Sequence, residues 1–206
     1  AAVKFIGSTV PFTGGFASFL GDYYPDHVTR QINDFKEALH DHAEKIDELR
    51  CDADQLSALT SQVLLEVPKT TSDEKRAAFL AILLNYANGK SAEQHEVDAF
   101  VSVLSPLSDL EMQILSVAVS PGEHAMGKGL LHPGQATGDT NIALRQVIEG
   151  VSEEILMFAF NGLRAKQLIS SPELPGAAMG GEVRLGNLQL SSFGRSFLEW
   201  IKFGED

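Results

Sequence analysis

Cysteine is almost absent from this chain of 206 residues, which contains Cys51 alone. An internal disulfide is therefore impossible, and a reducing compartment is the simplest interpretation. The sequence also lacks a run of roughly 20 continuous apolar residues, which excludes an ordinary membrane-spanning helix. No cleavable signal peptide is visible, although the chain begins at Ala1 and not at Met.

Positive charge is scarce as well. Lys and Arg number 16 against 28 Asp and Glu, which leaves a formal net charge of −12. An acidic excess keeps a protein soluble and repels nucleic acid unless the basic residues cluster. Residues 152 to 206 contain five basic and seven acidic side chains and no basic stripe. Nucleic acid is therefore not an expected partner.

Residues 5 to 21 contain no charged side chain, and they belong to an apolar, Gly/Phe-rich N-terminal segment that we place at residues 1 to 24. Two interpretations stay open for this segment. It docks on the core of its own domain, or it enters a membrane surface or a groove of a partner. The residues predicted to make such a membrane or partner contact are Phe5, Phe12, Phe16, Phe19, Leu20, Tyr23 and Tyr24.

Glycine and proline are missing between Pro25 and Pro68, where apolar positions recur at alternating steps of four and three. This heptad pattern predicts a long, coiled-coil-like helix over residues 25 to 68, with a kink near residues 50 to 54, where helix propensity falls. The seam packs either on the same chain or on a second copy, and the pattern does not choose. The residues of the predicted oligomer seam are Val28, Ile32, Phe35, Leu39, His42, Ile46 and Leu49.

Residues 69 to 206 predict a domain of shorter helices. Capping-box patterns occur at residues 71 to 74, 91 to 94 and 108 to 111. The last box makes "MQILSVAV" a helix more readily than a strand. Residues 120 to 140 contain five glycines and two prolines and predict a loop. In the helical sequence that follows, Gly150 marks a joint and Ser152 a fresh cap.

The C-terminal end predicts a different kind of unit. "EVRLGNLQL" has the pattern of a short hairpin that turns at Gly186 and Asn187, and Ser191 or Ser192 caps a final helix. Helices followed by a hairpin and a helix have the order of a winged-helix-like unit. The predicted fold class is therefore mainly α, with a long N-terminal heptad helix, a helical middle and a C-terminal winged-helix-like unit carrying a small β-hairpin.

One stretch, "GEHAMGKGLLHPG" at residues 122 to 134, fits most of the phosphate-binding pattern G-x-x-x-x-G-K-[ST]. Gly129 stands where the pattern needs a hydroxyl for Mg²⁺, and Pro133 with Gly134 would interrupt the helix that must follow. The histidines show no metal-ligand spacing, and no serine lies in a nucleophile-elbow pattern. We therefore predict no catalytic residue, no cofactor and no metal.

Two stretches carry a resemblance to a known family. They are residues 76 to 119, with "AILLNYA", "LSP" and "MQIL", and residues 163 to 201, with "LRAKQLISSP" and the G-x-x-F-L of "LQLSSFGRSFLEWI". Together they resemble the bacterial Abi-alpha proteins, named for abortive infection, over roughly residues 75 to 203. The sequence departs from the family at residues 96 to 100, where "EVDAF" replaces an expected His-Pro pair. These motifs are structural, so the resemblance transfers no catalytic residue.

The resemblance implies a non-enzymatic bacterial phage-defence protein. We expect it to act through self-assembly or binding of a protein partner, with contact between the N-terminal segment and the inner membrane as a further option. The expected location is the cytoplasm, with peripheral membrane association if that contact forms. The alternative is a regulatory or adaptor module that binds protein, and less readily DNA, through the winged-helix-like unit.

Overall fold

The computed structural model describes residues 26–43, 51–70, 72–90, 94–135, 142–170 and 182–202. These ranges contain nine α-helices and no β-strand, and the described part is 71% helical. The prediction of a mainly α fold is confirmed. The chain divides into two compact units, one formed by Ala1–Pro106 with Glu199–Asp206 and the other by Leu107–Leu198.

Four of the helices in the described residues belong to the first unit. They are α1 (Asp26–Ala43), α2 (Ala53–Glu66), α3 (Asp73–Ala87) and α4 (Gln94–Leu104), with a 3-10 turn at Val67–Lys69 after α2. Helix α3 contacts α1, α2 and α4, and α1 also contacts the 3-10 turn. Helix α3 is the central element of these contacts, because its buried residues lie on most sides of the helix.

The structure differs from a single unbroken helix over residues 25 to 68. Asp52 has an extended backbone conformation, and its side chain accepts a hydrogen bond of 2.9 Å from the backbone N–H of Gln55. An aspartate in this position satisfies one of the unpaired N–H groups at a helix start, so α2 begins as a new helix at Ala53. The new start lies where the sequence predicts a kink.

Aromatic side chains form the centre of the first unit. Phe79, Phe100 and Trp200 are buried, and the ring centroids of Phe100 and Trp200 are 5.7 Å apart. The side-chain amide of Asn85 donates to the carbonyl oxygens of Trp200 and Lys202, at 2.9 and 3.0 Å. The C-terminal end of the described chain is thereby fixed to α3 by packing and by hydrogen bonds.

The other five helices of the described residues lie mainly in the second unit. They are α5 (Asp109–Val119), α6 (Pro121–Gly127), α7 (Leu144–Val147), α8 (Glu153–Ala165) and most of α9 (Ser192–Trp200), whose last two residues belong to the first unit. Helix α5 contacts both α6 and α8, and α8 also contacts α7.

Helix caps account for several of these boundaries. The predicted capping box at residues 108 to 111 is confirmed, because Ser108 and Glu111 exchange both hydrogen bonds. The capping box predicted at residues 71 to 74 is wrong, because Ser72 is the N-cap of α3 and its side chain accepts from the backbone N–H of Lys75. The prediction of a loop over residues 120 to 140 is wrong at Pro121–Gly127, which is helix α6. Proline suits the first turn of a helix, so Pro121 starts α6 rather than preventing it.

The predicted hairpin over residues 182 to 190 is wrong. Leu185–Asn187 forms a 3-10 turn, and the flanking residues do not pair with each other. Instead, Arg184 forms an isolated antiparallel bridge with Ala143, and Leu190 forms one with Ile169. The apolar alternation does reflect burial, but two different segments of the unit supply the partners.

Candidate interaction surface

Helix α8 is amphipathic, and its two faces have different surroundings. Leu156, Phe160 and Leu163 are fully buried and follow one another at steps of four and three, which places them on one side of the helix. Helix α8 packs against α5. Ser152 precedes the helix in an extended conformation, as an N-cap residue does. The buried side therefore holds α8 in a defined orientation within the second unit.

The other side of α8 exposes two large apolar side chains. Phe158 is 80% exposed and Ile155 54% exposed, and residues three apart are neighbours on a helix surface. Three other large apolar side chains of the described residues are exposed, all to a smaller extent than Phe158: Leu65, Val119 and Met126. Moving such a side chain from water to a fully buried position is favourable by on the order of 2 kcal/mol. We name the exposed face formed by Glu154, Ile155, Phe158 and Asn161 the α8 surface.

The two ends of α8 carry opposite charge. Glu153 and Glu154 lie in the first turn and Arg164 in the last. Hydrogen bonds from the backbone N–H of Glu154 and from the hydroxyl of Ser152 lower the pKa of the Glu154 carboxyl, so it stays ionised at neutral pH. This arrangement also agrees with the helix dipole, which favours acids at the start and bases at the end.

The C-terminal end of α8 is fixed by a Schellman motif. Gln167 has a φ of 60°, in the left-handed region. The N–H of Gln167 donates to the carbonyl of Arg164 at 2.9 Å, and the N–H of Leu168 to that of Leu163 at 3.0 Å. The Nζ atom of Lys166 also lies 2.5 Å from the Glu111 carboxylate. The α8 surface is therefore part of a rigid element.

Two cations of the second unit are paired with acids away from the α8 surface. Arg145 donates to Glu182 at 2.7 Å, and Lys128 lies 2.9 Å from Glu149. The hydrogen bond to Glu182 raises the pKa of Arg145. The α8 surface itself contains no lysine or arginine, the residues that neutralise nucleic-acid phosphates. It offers apolar contact instead.

The structure describes only part of the predicted contact residues. The seven aromatic and apolar residues of the N-terminal segment lie outside the described residues, as do the side chain of Val28 and all of Ile46 and Leu49. In α1, the seam residues Ile32, Phe35 and Leu39 are 6%, 4% and 4% exposed in the single chain. Since α1 packs on α3 and on the 3-10 turn, this burial needs no second copy.

His42, the polar position of the predicted seam, is half-buried. Its Nδ1 atom lies 2.8 Å from the carbonyl oxygen of Ala38, one turn earlier in α1, so a backbone contact orients the ring.

The glycine-rich stretch does not have the geometry of a phosphate-binding loop. The N–H groups of Lys128 and Gly129 donate to the carbonyls of His124 and Met126, at 3.2 and 2.9 Å. A phosphate cradle needs such N–H groups free to point at the ligand. Cys51 has a pKa raised by burial and by the charge of Asp52, which disfavours a reactive thiolate.

The described residues also contain no group of three or more His, Cys, Asp or Glu side chains that could hold a metal ion.

Sequence reasoning missed Ile155 and Phe158, although a signal was present. Once Leu156, Phe160 and Leu163 are assigned to the buried face, the 100° turn per residue places Ile155 and Phe158 toward the other side. Two neighbouring large apolar residues away from the buried stripe of a helix are the signal of such a surface.

No single helix among the described residues is long and apolar enough to cross a membrane; α4 and α5 reach that length and hydropathy only when taken together across the break between them. No family of known proteins, no curated protein and no solved structure matches this chain.

Proposed function

We propose that this protein is a non-enzymatic interaction module that self-associates through the α8 surface. The observation that carries the proposal is the 80% exposure of Phe158 on a helix whose opposite side and C-terminal end are both fixed. A rigid helix that keeps a large aromatic side chain in water has the composition of a contact site rather than of a solvated face.

A second copy is the occupant that the charges of α8 fit best. In an antiparallel pair related by a two-fold axis, each helix start faces the other helix end. Glu154 of each copy then lies near Arg164 of the other, and Phe158, close to the middle of Glu153–Ala165, meets its own equivalent. Like charges would meet only if the two helices ran parallel.

The winged-helix-like assignment belongs to this proposal. In the chain, helices α7 and α8 lie between Ala143 and Ile169, which form isolated antiparallel bridges with Arg184 and Leu190. In DNA-binding helix-turn-helix units a recognition helix lies in the major groove. Here the exposed side of α8 is acidic and apolar, which favours protein contact over DNA.

Sedimentation equilibrium of the full chain tests self-association. We expect the wild type to dimerise in the range of about 10 to 100 µM, and we expect Phe158→Ser to shift the equilibrium to monomer. Leu65→Ser is the matched control, because Leu65 is also exposed, at 59%, but lies in the first unit on α2. A monomeric wild type, or a dimer that Phe158→Ser leaves intact, overturns the proposal.

A charge exchange tests the antiparallel arrangement. Glu154→Arg alone and Arg164→Glu alone each bring like charges together in the pair, so each weakens it. The double variant restores opposite charges and is expected to recover most of the affinity. Two single variants that behave like the wild type would leave dimerisation in place and rule out this orientation.

A second candidate is a bacterial phage-defence role, which the resemblance over residues 75 to 203 favours. In this proposal the assembled protein is cytoplasmic and residues 1 to 24 contact the inner membrane. Liposome co-sedimentation and leakage, comparing the full chain with a chain lacking residues 1 to 24, test the membrane contact. Background-level binding and leakage for both proteins would rule out the membrane contact.

Phage plating on cells expressing the wild type or Phe158→Ser tests whether defence needs the α8 surface.

A further inference from the structure

The second unit contains a cavity of about 340 Å³ between α5, α6 and the chain that follows α7. Three buried side chains from two elements form its apolar part: Val117 on α5, and Val147 with Ile148 at the end of α7. Because these residues are 4%, 7% and 8% exposed, they belong to the core, and the wall that they form is preorganised.

Ionisable side chains surround the apolar part. His124 and Lys128, four residues apart, line the cavity from α6 and its C-terminal end, and Glu149 lines it from beyond α7. The Nδ1 atom of His124 lies 3.0 Å from the carbonyl of Ser120. Since a carbonyl oxygen only accepts, Nδ1 carries the proton in this contact, and Nε2 is left for the cavity.

Lys128 and Glu149 supply opposite charges at one place on the rim. Their Nζ and Oε1 atoms are 2.9 Å apart, and the hydrogen bond from Lys128 lowers the pKa of Glu149. The two side chains are 43% and 71% exposed, so their pairing contributes little to stability. A ligand that pairs with both charges can therefore replace the ion pair of Lys128 and Glu149 at a small cost in free energy.

We propose that this cavity binds a free α-amino acid with an apolar side chain. The ligand carboxylate pairs with Lys128, and its ammonium group pairs with Glu149. Its side chain lies against Val117, Val147 and Ile148. An α-amino acid fits because its two charges stand on adjacent bonds of one carbon, as close together as the charges of Lys128 and Glu149. The volume lies at the small end of the roughly 300–1,000 Å³ typical of ligand cavities, which suits a molecule of this size better than a nucleotide.

The proposal is independent of self-association, because none of these residues lies on the α8 surface. Amide chemical-shift titration of the full chain with L-leucine and L-phenylalanine is the direct test. We expect saturable shifts at the cavity residues with a Kd on the order of 1 mM. Three related molecules act as ligand controls: N-acetyl-leucine lacks the ammonium group, leucinamide lacks the carboxylate, and glycine lacks the side chain. Each is expected to bind about tenfold more weakly.

Variants at exposed positions keep the test free of folding artefacts. Lys128→Gln and Glu149→Gln are each expected to lower the affinity for L-leucine about tenfold, with unchanged circular dichroism. Glu123→Gln, which removes an exposed charge of α6 that does not line the cavity, is expected to bind like the wild type. Absence of cavity shifts at about 10 mM L-leucine or L-phenylalanine, equal binding of N-acetyl-leucine, or full affinity in Lys128→Gln would each overturn the proposal.

Discussion

The carboxylate of Glu111 joins the start of α5 to the end of α8, because its Oε1 atom lies 2.5 Å from Nζ of Lys166. The other oxygen, Oε2, accepts from the backbone N–H of Ser108 at 2.7 Å and completes the capping box of α5. The Glu111 side chain is 7% exposed, so these partners take the place of the water that would otherwise solvate its carboxylate. One buried side chain thus couples a local helix cap to the packing of α8.

Removal of the lysine charge is expected to destabilise the protein. Lys166→Met leaves the Glu111 carboxylate buried with one strong partner fewer, and we expect it to lower the free energy of unfolding by about 2–3 kcal/mol. Urea denaturation measures the change. Lys128→Met removes an exposed pair instead and is expected to cost less than about 1 kcal/mol. Equal losses in the free energy of unfolding for the two variants would show that the buried Glu111 carboxylate depends on Lys166 no more than an exposed acid depends on its partner.

Gly194 is required by a close approach of two backbones. A Cβ atom at this position would overlap the carbonyl oxygen of Leu168, which also accepts a hydrogen bond from the N–H of Ser191. Because backbone cannot move away as a side-chain end can, Gly194→Ala is expected to cost about 3 kcal/mol or more. Gly186→Ala is the control, since a Cβ atom there meets nothing within 4 Å. Thermal unfolding of both variants is the measurement, and similar midpoints would contradict the prediction.

The left-handed residue at the end of α8 is a place where the protein can be stabilised. Gln167 has a φ of 60°, which costs an L-residue about 1 kcal/mol and glycine almost nothing. Gln167→Gly removes this backbone strain, but glycine also raises the entropy of the unfolded chain, which offsets part of the benefit. We therefore expect a net stabilisation of about 0.5 kcal/mol. Gln189→Gly, at an exposed position without positive φ, is expected to destabilise in the same urea titration. A loss of stability in Gln167→Gly would exclude the strain argument.

Acid is expected to weaken the first unit partly through Glu66. Burial raises the pKa of its carboxyl, but hydrogen bonds from Lys69 and Ser105 and the charges of Lys69 and Lys75 lower it more, so the folded pKa lies below the ordinary value. The stabilisation is therefore fully present above the unfolded pKa of about 4.3 and is lost as pH falls through the folded pKa. Glu66→Gln is expected to be less stable at pH 7 and to show a shallower loss of stability below about pH 5. An acid-unfolding curve parallel to that of the wild type would contradict this role.

Local signals in the sequence were sufficient for much of the helical structure. Ser108 followed by Glu111 predicted the start of α5, and Gly150 with Ser152 predicted the break before α8. Such signals are reliable because cap and helix lie within a few residues, and the hydrogen bonds between them do not depend on the rest of the chain. The Gly-x-x-Phe-Leu motif of α9 likewise marked residues that the fold requires, although only the backbone of Leu168 explains why Gly194 must be glycine.

Pairing between distant segments was beyond local signals. The alternation of apolar residues around Leu185 predicted strands, but Arg184 and Leu190 bridge to Ala143 and Ile169 rather than across a hairpin. Alternation reports that one side of a segment is buried, and it carries no information on which segment covers it.

By itself, the sequence determined that this protein is helical and acidic, where several helices begin, and that its glycine-rich stretch lacks the hydroxyl of a nucleotide-binding loop. Those properties follow from composition, periodicity and contacts within a few residues. Only the tertiary structure decided that Ile32, Phe35 and Leu39 are covered by their own chain, and that Phe158 stays 80% exposed. Both outcomes depend on where distant helices pack, because an apolar side chain gains the same free energy from any surface that removes it from water.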